Sequence, residues 1–341
     1  MSPVEWPISA QAGDRAVATT RSRGDGSRAA IARRDYFTDP ALRLSEEERA
    51  LIAAMLAGLV GEIADELKAA LPPIEAARAD WRRNGLARRL EAAGLLDRER
   101  LFELLLRRAD ENRLAGGDGP TLGELVADED GAVAGAAMGL VVARGRRRDR
   151  FGRLGIDLDD LDAEEAVALI QAAAAAIRDN FQDMDPDALL ASAAQALLAR
   201  FDEGRRLDTA VTELAHAIAA AGRGGDDLLV ALAGDGEVAL LAALLAMQAR
   251  IGGDTGWALL AGDEAGGVGL LLRLAGVARS AAAAVIAELA PRLGQDEVSL
   301  IDQYDEPGER EVEGRRRWWR LDPAYRAACS DLGGSDGQPR A

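Results

Sequence analysis

Histidine, lysine and cysteine each occur once in this chain of 341 residues, as His216, Lys68 and Cys329. A zinc site draws on several His or Cys ligands, a papain-like dyad sets Cys beside His, and Schiff-base or P-loop chemistry turns on a placed Lys. The commonest nucleophile and metal constellations are thereby out of reach. No catalytic residue, metal ligand or cofactor is expected. Aromatic residues make up only 4% of the chain, which leaves little with which to build stacking pockets for cofactors or bases. A lone cysteine allows no intrachain disulfide, which fits a reducing cytoplasm. Long apolar runs are missing too. The start of the chain lacks a signal peptide's apolar core, and stretches such as Ala134 to Ala143 are too short to span a bilayer, so no membrane partner is expected.

What the chain does have is aliphatic. Hydrophobic residues reach 48%, supplied mainly by Ala, Leu and Val, and Ala and Leu are strong helix formers. The 37 glycines favour many short helices with frequent turns. A formal net charge of -17 repels nucleic acid and anionic lipid, so neither is an expected partner of the chain as a whole. The length exceeds what one compact core usually holds and predicts either two domains or a helical array.

Residues 1–34 are polar, Arg-rich and dotted with Gly, Ser and Thr, and are expected to form a disordered arm. Residues 35–115 read as an N-terminal helical hairpin or bundle. Ser45 to Glu48 is a capping box, after which Ile52, Met55, Leu56, Leu59, Ile63 and Leu67 recur at helical spacing until Pro72-Pro73. Ile74, Ala77 and Trp81 then share a face before Asn84-Gly85. Asp97 is expected to cap a helix carrying Leu101, Phe102, Leu105 and Leu106 that stops at Gly116-Gly117. Thr121 to Glu124 reads as a second capping box. Later helices follow Asp162, with Val167, Ile170, Ala174, Ile177 and Phe181, and Asp185-Pro186, with Leu189, Ala193, Leu197 and Phe201. Nothing alternates at period two, so the fold class is all-α.

An internal repeat gives residues 116–305 their reading as a degenerate HEAT-like helical array, followed by a helical tail over 306–341. Leu229 to Asp235, followed by Val238, Leu240, Leu241 and Leu244, lies on Trp257 to Asp263, followed by Val268, Leu270, Leu271 and Leu274. A fainter copy is Asp130-Gly131-Ala132-Val133-Ala134. Each unit reads as a short helix, an Asp cap and a second helix whose Val opens the buried stripe. The basic residue that HEAT units often carry just after that Val is replaced by Ala134, Ala239 or Gly269.

The segments Asp35 to Pro40, Leu44 to Arg49, Asp128 to Met138, Asp149 to Gly152, and Leu214 to Ala217 leading into the Asp235 repeat together resemble the domain-of-unknown-function 2336 family of alphaproteobacteria, over roughly Asp35 to Ala328. The resemblance implies a helical, repeat-like cytoplasmic protein with no catalytic residue to carry over.

Four candidate sites stand out. His216, on a helix with Val211, Leu214 and Ile218, is the candidate phosphoacceptor, although a structural or surface role suits a lone His better. Asp157 to Asp162 offers carboxylate oxygens to a hard cation, yet lacks the turn Gly and terminal Glu of an EF-hand, and Asp162 with Glu165 reads as a helix cap. Arg144 to Arg150 is the densest basic cluster, with Arg146, Arg147, Arg148 and Arg150 as a candidate interaction surface. Arg315 to Arg320 adds Trp318 and Trp319, which also read as a terminal helix docked on the body. The function expected is a non-enzymatic scaffold or regulatory adaptor for protein–protein interaction. A homodimer through Ile52, Met55, Leu59 and Ile63 would cover a stripe that one short helix leaves open. The alternatives are a signalling phosphotransfer component using His216 and a binder of anionic polymer through the Arg clusters.

Overall fold

The computed structural model describes residues 44–78, 85–116, 119–148, 151–181, 185–261 and 267–332. Expectations for residues 1–34, Trp81, Asn84, Gly117, Asp149, Arg150 and Asp263 lie outside the described residues. Two compact units divide between Ala50 and Leu51. In the first, the expected capping box forms: Ser45 Oγ accepts from the Glu48 amide at 3.1 Å, and Glu48 Oε2 accepts from the Ser45 amide at 2.8 Å.

The α-helices in chain order are α1 (Glu46–Ala70), α2 (Pro73–Arg78), α3 (Leu86–Ala92), α4 (Glu99–Leu114), α5 (Thr121–Val126), α6 (Gly131–Arg146), α7 (Ala163–Ile177), α8 (Asp187–Leu198), α9 (Leu207–Ala220), α10 (Asp226–Asp235), α11 (Val238–Ala249), α12 (Gly253–Ala261), α13 (Gly267–Ala275), α14 (Arg279–Leu293), α15 (Glu297–Asp305), α16 (Glu309–Trp319) and α17 (Pro323–Asp331). Among the described residues the only extended pairing is an isolated bridge between Arg148 and Leu154, and the fold is all-α. No single helix among them is long and apolar enough to cross a membrane.

In the second unit α6, α9, α11, α13 and α15 lie side by side in that order, while α10 packs on α5 and α14. One core runs through this set, from Leu114 to Trp319. Val133, Val238 and Val268, the valines that open each repeat's stripe, are all buried in it. Trp319 is buried in the same core with Trp318 half-buried beside it, so α16 is held to the body through its rings.

Ile52, Met55, Leu59 and Ile63 are between 0% and 5% exposed within this one chain. The stripe expected to stand open is covered, and the surplus that called for a second copy there is gone. Other phases also shift. Phe102, Leu106, Val167 and Ile74 face solvent, and on α4 the place after Leu101 and Leu105 is taken by Arg108, at 2% exposure. A charge in the buried phase needs partners, and these lead to the site.

Candidate functional site

Local chemistry leaves several expected caps unmade. The first residue of α5 is Thr121 itself, α4 begins after Arg98, and Asp162 at the start of α7 makes no capping bond. At the start of α7 two acids pair instead with arginines from elsewhere in the chain. Asp162 meets Arg100 Nη1 at 3.0 Å and Arg206 Nη2 at 2.9 Å, and Glu165 accepts from Arg98 Nη2 at 3.0 Å. The capping box that does form in this stretch is Asp157 with Asp160, around a single 3₁₀ turn.

Asp160 is the centre of the resulting hub. Its carboxylate accepts from Arg147 Nε at 2.7 Å, from the Leu207 amide at 2.9 Å and from the Asp157 amide at 3.1 Å, with Arg147 Nη2 on its second oxygen. Burial works against its ionisation. The hydrogen bonds from Arg147 and the charges of Arg108 and Arg147 outweigh that cost and hold its carboxyl below the usual range. Arg147 also donates to the carbonyls of Ala143 at 2.7 Å and Arg205 at 3.0 Å. It is therefore a buried tie between the end of α6 and the start of α9, and this corrects its reading as an interaction-surface residue. The physical reason is that a buried charge must be paired and hydrogen-bonded, and Asp160 with the two carbonyls supplies those partners inside the chain.

Arg108 completes the hub. Its Nη1 donates to both oxygens of Glu111, at 2.9 and 2.7 Å, and its Nη2 lies 3.1 Å from Asp208 Oδ1 without hydrogen-bond alignment. Desolvation disfavours its charge, but Glu111, Asp208 and Asp160 together raise its pKa. The preceding residue, Arg107, is half-buried on the solvent side of the hub and shares two of these partners. It meets Glu111, Asp208 and Asp254 at 3.2 to 3.3 Å and lies 5.4 Å above the Trp257 ring, a cation–π contact.

On that side opens a cleft of about 900 Å³ between α4, α9, α11 and α12. Eight carboxylates, three arginines and His216 line it, over a wall that includes Trp257, Ala239, Ala242 and Ala243. Glu103 and Glu213 stand exposed on its rim. His216 is exposed as well and shares the cleft with Thr212 and Asp208. Among the described residues no group of His, Cys, Asp and Glu is arranged to hold a metal ion.

No family model, curated protein or solved structure matches the chain.

The other sequence candidates separate in space. Arg144 is paired bidentately with Glu237, Arg146 and Arg148 are exposed, and Arg150 lies outside the described residues. At the other end Arg315 and Arg316 pair with Glu311 and Glu313 on their own helix, and Arg316 also caps the Leu274 carbonyl at 2.7 Å. Arg108 and Asp208 were not singled out by motif, and Trp257 only as the first residue of a repeat unit. Arg108 had a signal, since it follows Leu101 and Leu105 at helical spacing where an apolar residue belongs.

Proposed function

We propose that the chain is a non-enzymatic helical scaffold or regulatory adaptor, and that the cleft beside the hub is where a protein partner docks through a basic segment. The observation that carries this reading is the acidic rim of the cleft, where Glu103 and Glu213 stand exposed over an apolar wall, while Asp160, Asp162, Glu165 and Asp208 are engaged by the chain's own arginines. Its volume of about 900 Å³ suits a peptide segment with long cationic side chains lying along apolar surface. What supports the HEAT-like reading of the framework is the lateral order of α6, α9, α11, α13 and α15, with α10/α11 and α12/α13 carrying the repeat. Kinship with the domain-of-unknown-function 2336 proteins rests on the ordered short segments quoted above, and implies the same kind of molecule.

The test is capture of partners from native cells, followed by chemical cross-linking of the captured partner to the chain. Cross-links are expected on α4, α9 and α12, and binding is expected to weaken with salt and with the rim pair Glu103→Lys and Glu213→Lys. Capture that is indifferent to both would overturn the reading. A second reading draws on the exposure of His216 on the cleft wall, which leaves its imidazole open to a phosphoryl donor. An acid-labile phosphoryl group mapped to His216 would promote it. On the scaffold reading His216→Ala, a truncation at one wall of the docking cleft, costs no more than about 1 kcal/mol of partner binding.

A further inference from the structure

Helix α6 has an outer face that the chain itself does not use. The thirteen residues Gly131 to Ala143 carry no charge. Val133, Ala137, Leu140 and Ala143 are buried against the body, while Met138, Val141 and Val142 are 47%, 41% and 55% exposed. Between the exposed side chains sit Gly131, Gly135 and Gly139, at every fourth position and therefore along one side of the helix.

These glycines are unexplained by the fold. A Cβ added at Gly131, Gly135 or Gly139 would meet nothing within 4 Å, and none of the three has the positive φ that demands glycine. Some glycines elsewhere in the chain do have such reasons, although Gly58 and Gly61 on α1 are as uncrowded as these three. At Gly256 a Cβ would lie 2.6 Å from the Ala246 methyl, and at Gly269 it would lie 2.4 Å from the Leu300 carbonyl oxygen. Glycine weakens a helix relative to alanine, so three uncrowded glycines on one exposed apolar face carry a cost that the isolated chain does not recover.

We infer that the outer face of α6 docks on the same face of a second copy of this chain, as an antiparallel helix pair about a two-fold axis. The ends of the helix determine the partner and its direction. Exposed Glu129 precedes the uncharged stretch, and exposed Arg146 and Arg148 follow it. Antiparallel pairing centred between Met138 and Gly139 brings the Glu129 end of each helix beside the Arg146 and Arg148 end of the other. The same register sets Met138 opposite Gly139 and Val142 opposite Gly135, so that these two large side chains face positions with no Cβ, while Val141 faces Ala136. A two-fold pair is self-complementary in just this way, and small residues let the backbones approach closely. Parallel pairing would instead set Glu129 against Glu129 and Arg148 against Arg148. A single helix pair buries less than the roughly 1,200 Å² of a standard interface, so the association is concentration-dependent.

The full chain should therefore show a monomer–dimer equilibrium in sedimentation velocity. Met138→Asp and Val142→Asp, both at exposed positions, should each weaken the dimer at least tenfold while leaving thermal unfolding of the monomer unchanged. Glu129→Arg and Arg148→Glu should each weaken it, and the two together should restore it. A chain that stays monomeric at the highest attainable concentration overturns the inference, as does a dimer indifferent to Met138→Asp. Failure of the charge-reversed double variant to recover association overturns the antiparallel register.

Discussion

Asp130-Gly131-Ala132-Val133 and Asp235-Gly236-Glu237-Val238 read alike, and the chain folds them in opposite ways. Asp130 caps its own helix, accepting from the Ala132 amide at 2.8 Å and from the Val133 amide at 3.4 Å. Gly131 is then an ordinary first residue of α6. Asp235 is the last residue of α10, and Gly236 follows in the left-handed region at φ 71. The Asp235 carboxylate reaches to another helix and accepts from the Thr121 amide at 2.8 Å, closing the start of α5. The valine is buried in both cases, at 0% and 3% exposure. Burial of the valine follows from local pattern, whereas the acid's partner is whichever orphan amide the packing brings within reach.

The same division separates acids that serve their own helix from acids that serve a distant one, and Asp160 is the extreme of the second kind. Asp160→Ala should cost about 3–5 kcal/mol, because it strands Arg147 and weakens Arg108, both buried. Urea unfolding at neutral pH measures this. Since the Asp160 pKa is lowered from 3.8, its stabilisation is complete above that value and is lost as pH falls through the folded pKa, so wild type and variant should converge in acid. A loss below about 1 kcal/mol would return Asp160 to the class of solvated acids.

The two glycines of the corners give a test with opposite signs. At Gly236 a Cβ would lie 1.8 Å from the Gly116 backbone nitrogen, on top of the left-handed φ, so Gly236→Ala should destabilise by about 3 kcal/mol. At Gly131 a Cβ meets nothing, and Gly131→Ala should raise stability by about 0.5 kcal/mol in dilute solution. Thermal unfolding of the pair checks both. Equal effects would mean that the two corners are built alike after all.

Glu62 is a third case, an acid whose charged neighbours are acids. Burial, with Asp157, Asp65 and Glu66 nearby, pushes its carboxyl from 4.5 up to about 7. Between those values the folded chain holds a proton that the unfolded chain has released, so stability falls as pH rises and the penalty is complete above about 7. Because the side chain is also solvent-accessible, Glu62→Gln should gain no more than about 1 kcal/mol above neutrality and nothing below 4.5. A gain that is the same at both pH values would trace to packing rather than to charge.

Helix content and much of the core followed from spacing. Ser45 with Glu48 made its box, Leu101 and Leu105 went inside, and the valines of the repeat were buried where the pattern put them. These are properties of neighbours three or four residues apart, which the chain fixes before it packs. The hub and the cleft were not legible in that way. The Leu207 amide donates to Asp160 across 47 residues and the Thr121 amide donates to Asp235 across 114, separations that leave no periodic trace. A carboxylate serves any donor within about 3 Å, and which donor arrives there depends on how helices far apart in the chain come to lie together. The sequence by itself determined that this chain is helical and that the repeat valines turn inward. Only the tertiary structure decided which acid meets which arginine, and with that where the charge of the cleft is concentrated.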